Sequence, residues 1–324
     1  MPSLRGERCA VTGAAGFIGP HLLRALARSG ATARGFDINR RAVAALRAGL
    51  PRGATLEVAD AARGRKVSDA LRGTSVLFHL AADPDVRSST ARPLGHFEAN
   101  AVGTLRVADA ARRADVGRIV FPSTSTVYGD ATVVPTPETY APLRPISVYG
   151  ASKLAGENIL AAYAATYGID CVALRLANVV GPGATHGVIV DLVEKLKRDP
   201  RRLEVLGDGT QRKSYVHVED MVAATLLAAR KAPAGFQVYN VGSKDAVVVD
   251  EVARAVVEAM GLEGVELVHR PVAGGRGWAG DVKVMHLAIE RIRKLGFTPR
   301  YASRRAVRET ARAVARERAA GAKV

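Results

Sequence analysis

Eight residues near the start of the chain, Thr12-Gly13-Ala14-Ala15-Gly16-Phe17-Ile18-Gly19, constrain its fold more than any other stretch. They follow a short β-like run, Arg8–Thr12, and precede an apolar-striped stretch, His21–Ser29, that stops at Gly30. A strand that turns through closely spaced glycines into a helix is the opening of a βαβ unit. Glycine permits the tight turn and lets backbone N–H groups approach an anion such as a pyrophosphate at the helix N-terminus. The spacing is G-x-x-G-x-x-G rather than the commoner G-x-G-x-x-G, so this stretch alone leaves a plain glycine turn open.

The alternation continues. Ala33–Asp37, Thr55–Val58 and Ser75–Leu80 read as strands. Arg118–Pro122 follows a helical stretch around Leu105–Arg113, and Cys171–Arg175 follows a helix over Val148–Tyr167. Strands separated by helices predict an α/β fold with a doubly wound parallel sheet. From Asn178 the regularity breaks into a Gly181-Pro182-Gly183 turn, a helix over Val188–Lys197 and a strand over Leu203–Leu206. Phe236–Val241 reads as one more sheet strand, so the chain is expected to return to the first unit. The predicted division is a dinucleotide-binding domain over 1–177 with a return near 214–242. A smaller C-terminal lobe then takes 178–213 and 243–324.

Composition narrows the function classes. Forty-eight per cent hydrophobic residues in 324 supply an ample core and exclude a disordered chain. Two cysteines, Cys9 and Cys171, fit a reducing compartment and, with no secretory start or apolar run of about 18 residues, predict a soluble cytoplasmic protein without a membrane partner. The net charge of +16 invites a nucleic-acid reading. However, 37 of the 47 basic residues are Arg and only seven residues are Asn or Gln, which suits genome bias and heat adaptation. Arg304, Arg308, Arg312 and Arg316 recur every four residues without interleaved aromatics, the pattern of a solvated helix face rather than a nucleic-acid arm. The seven His show no H-x-x-x-H spacing, so no metal site is expected.

Two further features point to chemistry. Asp37 ends the second strand 18 residues past Gly19, where a carboxylate takes both ribose hydroxyls of an adenosine. It would repel a 2′-phosphate, which favours NAD; Arg40 and Arg41 keep NADP as the alternative. Asp60, after the third strand, meets the adenine edge or caps a helix. Tyr149 and Lys153, four apart at the start of the long helix, share a helix face. A phenol of pKa about 10 is a poor base, and a neighbouring ammonium and an oxidised nicotinamide both favour its phenolate.

Thr12–Gly19, Asp37, His79-Leu80-Ala81-Ala82, Asn100, Ser123–Gly129, Tyr149 with Lys153 and Arg175–Gly183 together resemble the extended short-chain dehydrogenase/reductase family. The likeness runs from the N-terminus to about Asp281. It is strongest to the nucleotide-sugar epimerases, in particular the archaeal-type UDP-glucose (UDP-galactose) 4-epimerases. The resemblance implies a Rossmann fold holding NAD through Gly13, Gly16, Phe17, Ile18, Gly19, Asp37, Asp60, Ala81, Asn100, Tyr149 and Lys153. It also implies catalysis by Thr124, Tyr149 and Lys153, with Tyr149 taking the sugar 4-OH proton while hydride leaves C4 for the nicotinamide. The bound 4-keto sugar then turns its other face. In related 4,6-dehydratases the two positions after Thr124 are Asp and Glu; here Ser125 and Thr126 cannot do that acid/base work. In nucleotide-sugar decarboxylases the second of these is typically Glu. What remains is 4-epimerisation.

The same resemblance places Thr124, Asn178, Val205, Lys213 and Arg276 against a UDP-sugar. Leu203–Gly209 would line the uracil pocket. Lys213 stands where many relatives carry a phosphate-binding Arg. A second such Arg matches Trp278 here, with Arg276 displaced by two, so Arg276 reaching the diphosphate and Trp278 stacking or packing are both open. A homodimer through helices around Leu105 and Gly156 is implied. The alternatives are an epimerase or dehydrogenase of another nucleotide sugar, such as a UDP-N-acetylhexosamine or UDP-glucuronate, or a non-catalytic NAD-sensing module.

Overall fold

The computed structural model describes residues 4–62 and 69–320. Among them, the apolar runs form β1 (Arg8–Thr12), β2 (Thr32–Asp37), β3 (Ala54–Val58), β4 (Val76–His79), β5 (Arg118–Thr124) and β6 (Asp170–Leu176). Phe236–Val241 returns as β7 and pairs with β6. These seven strands are parallel in the order β3-β2-β1-β4-β5-β6-β7, the doubly wound Rossmann arrangement, with the order reversing between β1 and β4. Ligands bind outside the carboxyl ends of the strands at such a reversal.

The period of two along each strand divides the core. Val11, Phe78, Val120 and Val172 face Leu22, Leu23 and Leu26 of α1 (Gly19–Arg28) and the helix Val218–Lys231. Their sequence neighbours Ala10, Leu77, Ile119, Phe121 and Cys171 face the other way. They pack on Val107 and Ala111 of α3 (Gly103–Arg113) and Leu160 of α4 (Val148–Tyr167), while α2 (Arg40–Arg47) follows β2. Burial pushes both thiols, Cys9 and Cys171, up to about 12, which makes them inert at neutral pH.

A separate apolar cluster joins the helices Val188–Arg198, Val249–Ala259 and Ser303–Ala320 to the strand Arg202–Leu206. Around it lie short strand pairs that the sequence reading did not anticipate. Asn178–Val180 pairs with Tyr215–His217, and Arg202–Leu206 with Glu266–Arg270. The arginine stripe lies on an exposed helix face, as expected. Arg304 reaches Glu251 at 2.6 Å, while Arg308 and Arg312 both reach Glu258, at 3.6 and 3.4 Å. These pairs join the exposed stripe to the neighbouring helix Val249–Ala259. No described helix is long and apolar enough to cross a membrane.

Candidate active site

The glycine turn leaves β1 at the reversal point. Gly13 has φ +65°, and a Cβ there would stand 2.6 Å from the backbone N of Ala81. A Cβ on Gly19 would stand 2.3 Å from the Ala14 carbonyl oxygen. Both positions therefore exclude a side chain, and Gly16 at the exposed crest is tight against Gly13. Ile18 precedes α1 without a side-chain cap, so the first helical N–H groups are left to an external acceptor. Phe17 and Ile18 are partly exposed beside them. Asp37 holds the turn from β2: Oδ2 accepts from Ala15 N at 2.9 Å and Oδ1 from Asn39 N at 2.8 Å. This cradle of missing Cβ atoms, free helix N–H groups and a carboxylate suits a dinucleotide. Ala81 N donates to Thr12 Oγ1 at 3.2 Å, tying β4 to the turn. Asp60 Oδ1 accepts from Ala62 N at 2.8 Å in the turn after β3.

On the other side of β1, α4 begins at Ser147, whose Oγ accepts from Gly150 N. This cap starts the helix so that Tyr149 and Lys153 point back over β5. The Tyr149 phenol faces the Thr124 hydroxyl at the end of β5. Burial pushes that phenol up to about 12; the Thr124 hydroxyl opposes the shift and the nearby Asp83 carboxylate adds to it. Lys153 is buried with Nζ 3.9 Å from the centre of the Phe121 ring, and burial pushes its ammonium down to about 7, against the pull of Glu157. Thr126 Oγ1 lies 3.1 Å from Thr124 Oγ1. His79 bridges Thr12 and Thr104 and is held neutral by burial and by Lys153, its pKa down at about 3, so it is structural.

Beneath this pair lies a network missed in the sequence. Glu157, one turn beyond Lys153, accepts from Arg175 Nη2 at 2.7 Å, from Arg175 Nε and from Ser123 Oγ. Arg175 Nη1 donates to Tyr128 OH at 3.0 Å, and Tyr128 OH donates to Asn240 Oδ1 at 2.7 Å. The network joins α4, β5, β6 and β7. An arginine inside the apolar run Leu174-Arg175-Leu176 was the available signal, because a charge in a buried strand requires a partner.

Three of the residues expected at the ligand are engaged elsewhere. Asn100 is buried on a π-helical turn (Glu98–Val102): its Oδ1 accepts from Asp83 N at 2.7 Å, and its Nδ2 donates to Asp83 O and Ser152 Oγ. Both its amide hydrogens are used, so it positions the Asp83 loop. Val205 is fully buried in the lobe's apolar cluster, whereas the next residue, Leu206, is partly exposed. Arg276 clasps Asp130 at 3.0 and 2.8 Å and donates to the Asp281 carbonyl. Lys213 donates to Asp281, and Asn178 is partly exposed at the start of its strand. No group of three or more metal-ligating side chains occurs among the described residues.

Sheet order, glycine cradle and a tyrosine–lysine pair beside the reversal point define a Rossmann-fold protein of the extended short-chain dehydrogenase/reductase type. The chain belongs to the NAD dependent epimerase/dehydratase family, whose model matches residues 9–242. It is 33% identical over 322 residues to a UDP-glucose 4-epimerase of Mycolicibacterium smegmatis, covering 94% of this chain and 97% of that one. A solved UDP-galactose 4-epimerase is 43% identical with a TM-score of 0.84, covering 96% and 99% of the two chains. MoeE5, solved in complex with UDP-glucuronic acid and NAD, is 34% identical with a TM-score of 0.83, covering 96% and 100%. NAD is therefore the cofactor of this chain.

Proposed function

We propose that the protein is a UDP-galactose/UDP-glucose 4-epimerase. The observation that carries this is the placement of Tyr149 against Thr124 at the end of β5, followed by Ser125 and Thr126 rather than by carboxylates. A phenol and a hydroxyl serve proton exchange at one sugar oxygen and provide no acid/base pair for eliminating water at neighbouring carbons. The UDP-glucose and UDP-galactose 4-epimerases among its relatives support the same reading.

Gly13, Gly16 and Gly19 with Phe17, Ile18, Asp37 and Ala81 hold NAD, which when bound supplies a hydride acceptor and donor. Thr124 holds the sugar 4-oxygen, and Tyr149 removes and returns its proton. Because burial resists phenolate, the base needs a positive charge within reach, and Lys153 supplies one while protonated. Asn178 and Lys213 serve the substrate side, with uracil between the backbone of Val205 and its neighbours. Exposed Leu94 and Phe97, in the short helix Pro93–Phe97, and Leu105 of α3 support a homodimer through helices around Leu105 and Gly156; a monomeric mass by light scattering would argue against it.

The test is a panel of UDP-galactose, UDP-N-acetylglucosamine and UDP-glucuronate offered to NAD-loaded protein without added reductant. Interconversion is expected first with UDP-galactose. Exclusive turnover of UDP-glucuronate, the sugar nucleotide bound in the MoeE5 structure, would move the assignment to that substrate. Stoichiometric NADH would indicate a dehydrogenase.

A further inference from the structure

The segment that follows β4 is clamped to the start of α4. Asn100 Oδ1 accepts from Asp83 N at 2.7 Å, and its Nδ2 donates to Asp83 O at 3.1 Å. The same Nδ2 donates to Ser152 Oγ at 3.1 Å, and Ser152 Oγ donates to the Tyr149 carbonyl at 2.8 Å. Two side chains thus tie the Asp83 backbone to the helical turn that carries Tyr149. The Asp83 carboxylate acts electrostatically on the Tyr149 phenol and on His186 of the smaller lobe.

That carboxylate is itself held. His96, fully buried in the short helix Pro93–Phe97, places Nε2 3.2 Å from Asp83 Oδ2 and 2.9 Å from Ser88 Oγ. An ionised carboxylate only accepts, and the Ser88 hydroxyl donates to the Asp85 carbonyl, so the ring proton sits on Nε2. His96 Nδ1 has no hydrogen-bond partner among the described residues, which leaves the ring with Asp83 and Ser88 alone. Arg92 approaches the same Oδ2 at 3.6 Å, and Oδ1 accepts from Asp85 N at 3.2 Å. A side chain 29% exposed with both oxygens engaged has one place to be.

We propose that Asp83, fixed by His96 and Arg92, is a positioning residue that tunes Tyr149 to return its proton as readily as it takes it. This rests on the nucleotide-sugar reading above, in which one phenol serves first as base and then as acid. Lys153 and an oxidised nicotinamide both favour phenolate, and a fixed carboxylate opposes them. Proton exchange in both directions is served best when neither form is held too firmly. Among the described residues, Glu157 offsets Lys153, Arg87 offsets Asp85, and His79 is neutral. Arg92, His96 and His186 face Asp83 itself.

The phenol is titrated in NAD-loaded protein without substrate, through phenolate absorbance in difference spectra against Tyr149→Phe. The pH profile of kcat on UDP-galactose is recorded in parallel. Asp83→Asn keeps the shape and removes the charge, so phenolate should form at a pH lower by about half a unit to one unit, with the acid limb of kcat moving the same way. Asp83→Glu restores the charge and should bring the midpoint back toward wild type. Arg92→Gln, an exposed change, removes an offsetting cation and should move the midpoint upward by a smaller amount. A merely structural Asp83 would lower kcat without moving the phenol. Equal midpoints in wild type and folded, NAD-loaded Asp83→Asn, or the same downward shift in Asp83→Glu, overturn the proposal. If the phenol moves as expected and no UDP-hexose is turned over, the substrate reading falls and the electrostatic role of Asp83 stands.

Discussion

Arg175→Met removes one half of the buried ion pair while keeping much of its bulk. Arg175 and Glu157 are 6% and 3% exposed, and the guanidinium supplies bonds to Glu157 at 2.7, 3.1 and 3.2 Å. Without it the Glu157 carboxylate keeps only Ser123 Oγ as donor, and Tyr128 loses a partner. Breaking one side of such a pair leaves an uncompensated buried charge, and the expected loss is about 3–5 kcal/mol. Urea denaturation followed by circular dichroism reads this as a lowered midpoint. Adding Glu157→Gln removes the stranded charge, so the double variant should be more stable than Arg175→Met alone by about 1 kcal/mol or more. A single-variant loss under about 1 kcal/mol, or strictly additive effects, would show that the pair is not the structural centre described here.

Other outcomes follow from the same site. Lys153, pushed down to about 7 from 10.5, binds fewer protons folded than unfolded across that window, so its contribution to stability rises with pH between those values and is flat above them. Lys153→Met should therefore stabilise the protein at pH 6 by up to about 4 kcal/mol, with the gain fading toward pH 10.5, as denaturation midpoints at several pH values will show. A pH-independent difference would refute the burial account. Gly19→Ala places a Cβ against the Ala14 carbonyl and should yield folded protein without bound NAD, measured by releasing and quantifying the nucleotide. Thr124→Val should lower kcat about tenfold, the worth of one hydrogen bond at the reacting oxygen, with bound NAD unaltered.

Local patterns carried most of the nucleotide half. Each strand of the large sheet is a short apolar run between helices, and its ends shift by only one or two residues in the structure. Gly19 and the Tyr149–Lys153 pair were readable because their geometry depends on neighbours in sequence. The lobe was less legible, since Asn178–Val180 and Arg212-Lys213 are too short to show a period and find partners far along the chain. Arg276 shows the same limit: its partner Asp130 is 146 residues away, and no spacing rule reveals it. Val205 illustrates a signal overlooked, because the alternation Leu203-Glu204-Val205 already puts Val205 on the buried face of its strand.

The most direct test of the central claim is proton NMR of NAD-loaded protein acting on UDP-galactose in D2O. The account predicts interconversion with UDP-glucose, full retention of protium at sugar C4, and a rate lower by about 10²–10⁴ in Tyr149→Phe that still holds NAD. Deuterium entering C4 or C5, or no interconversion by the wild-type protein, would contradict it.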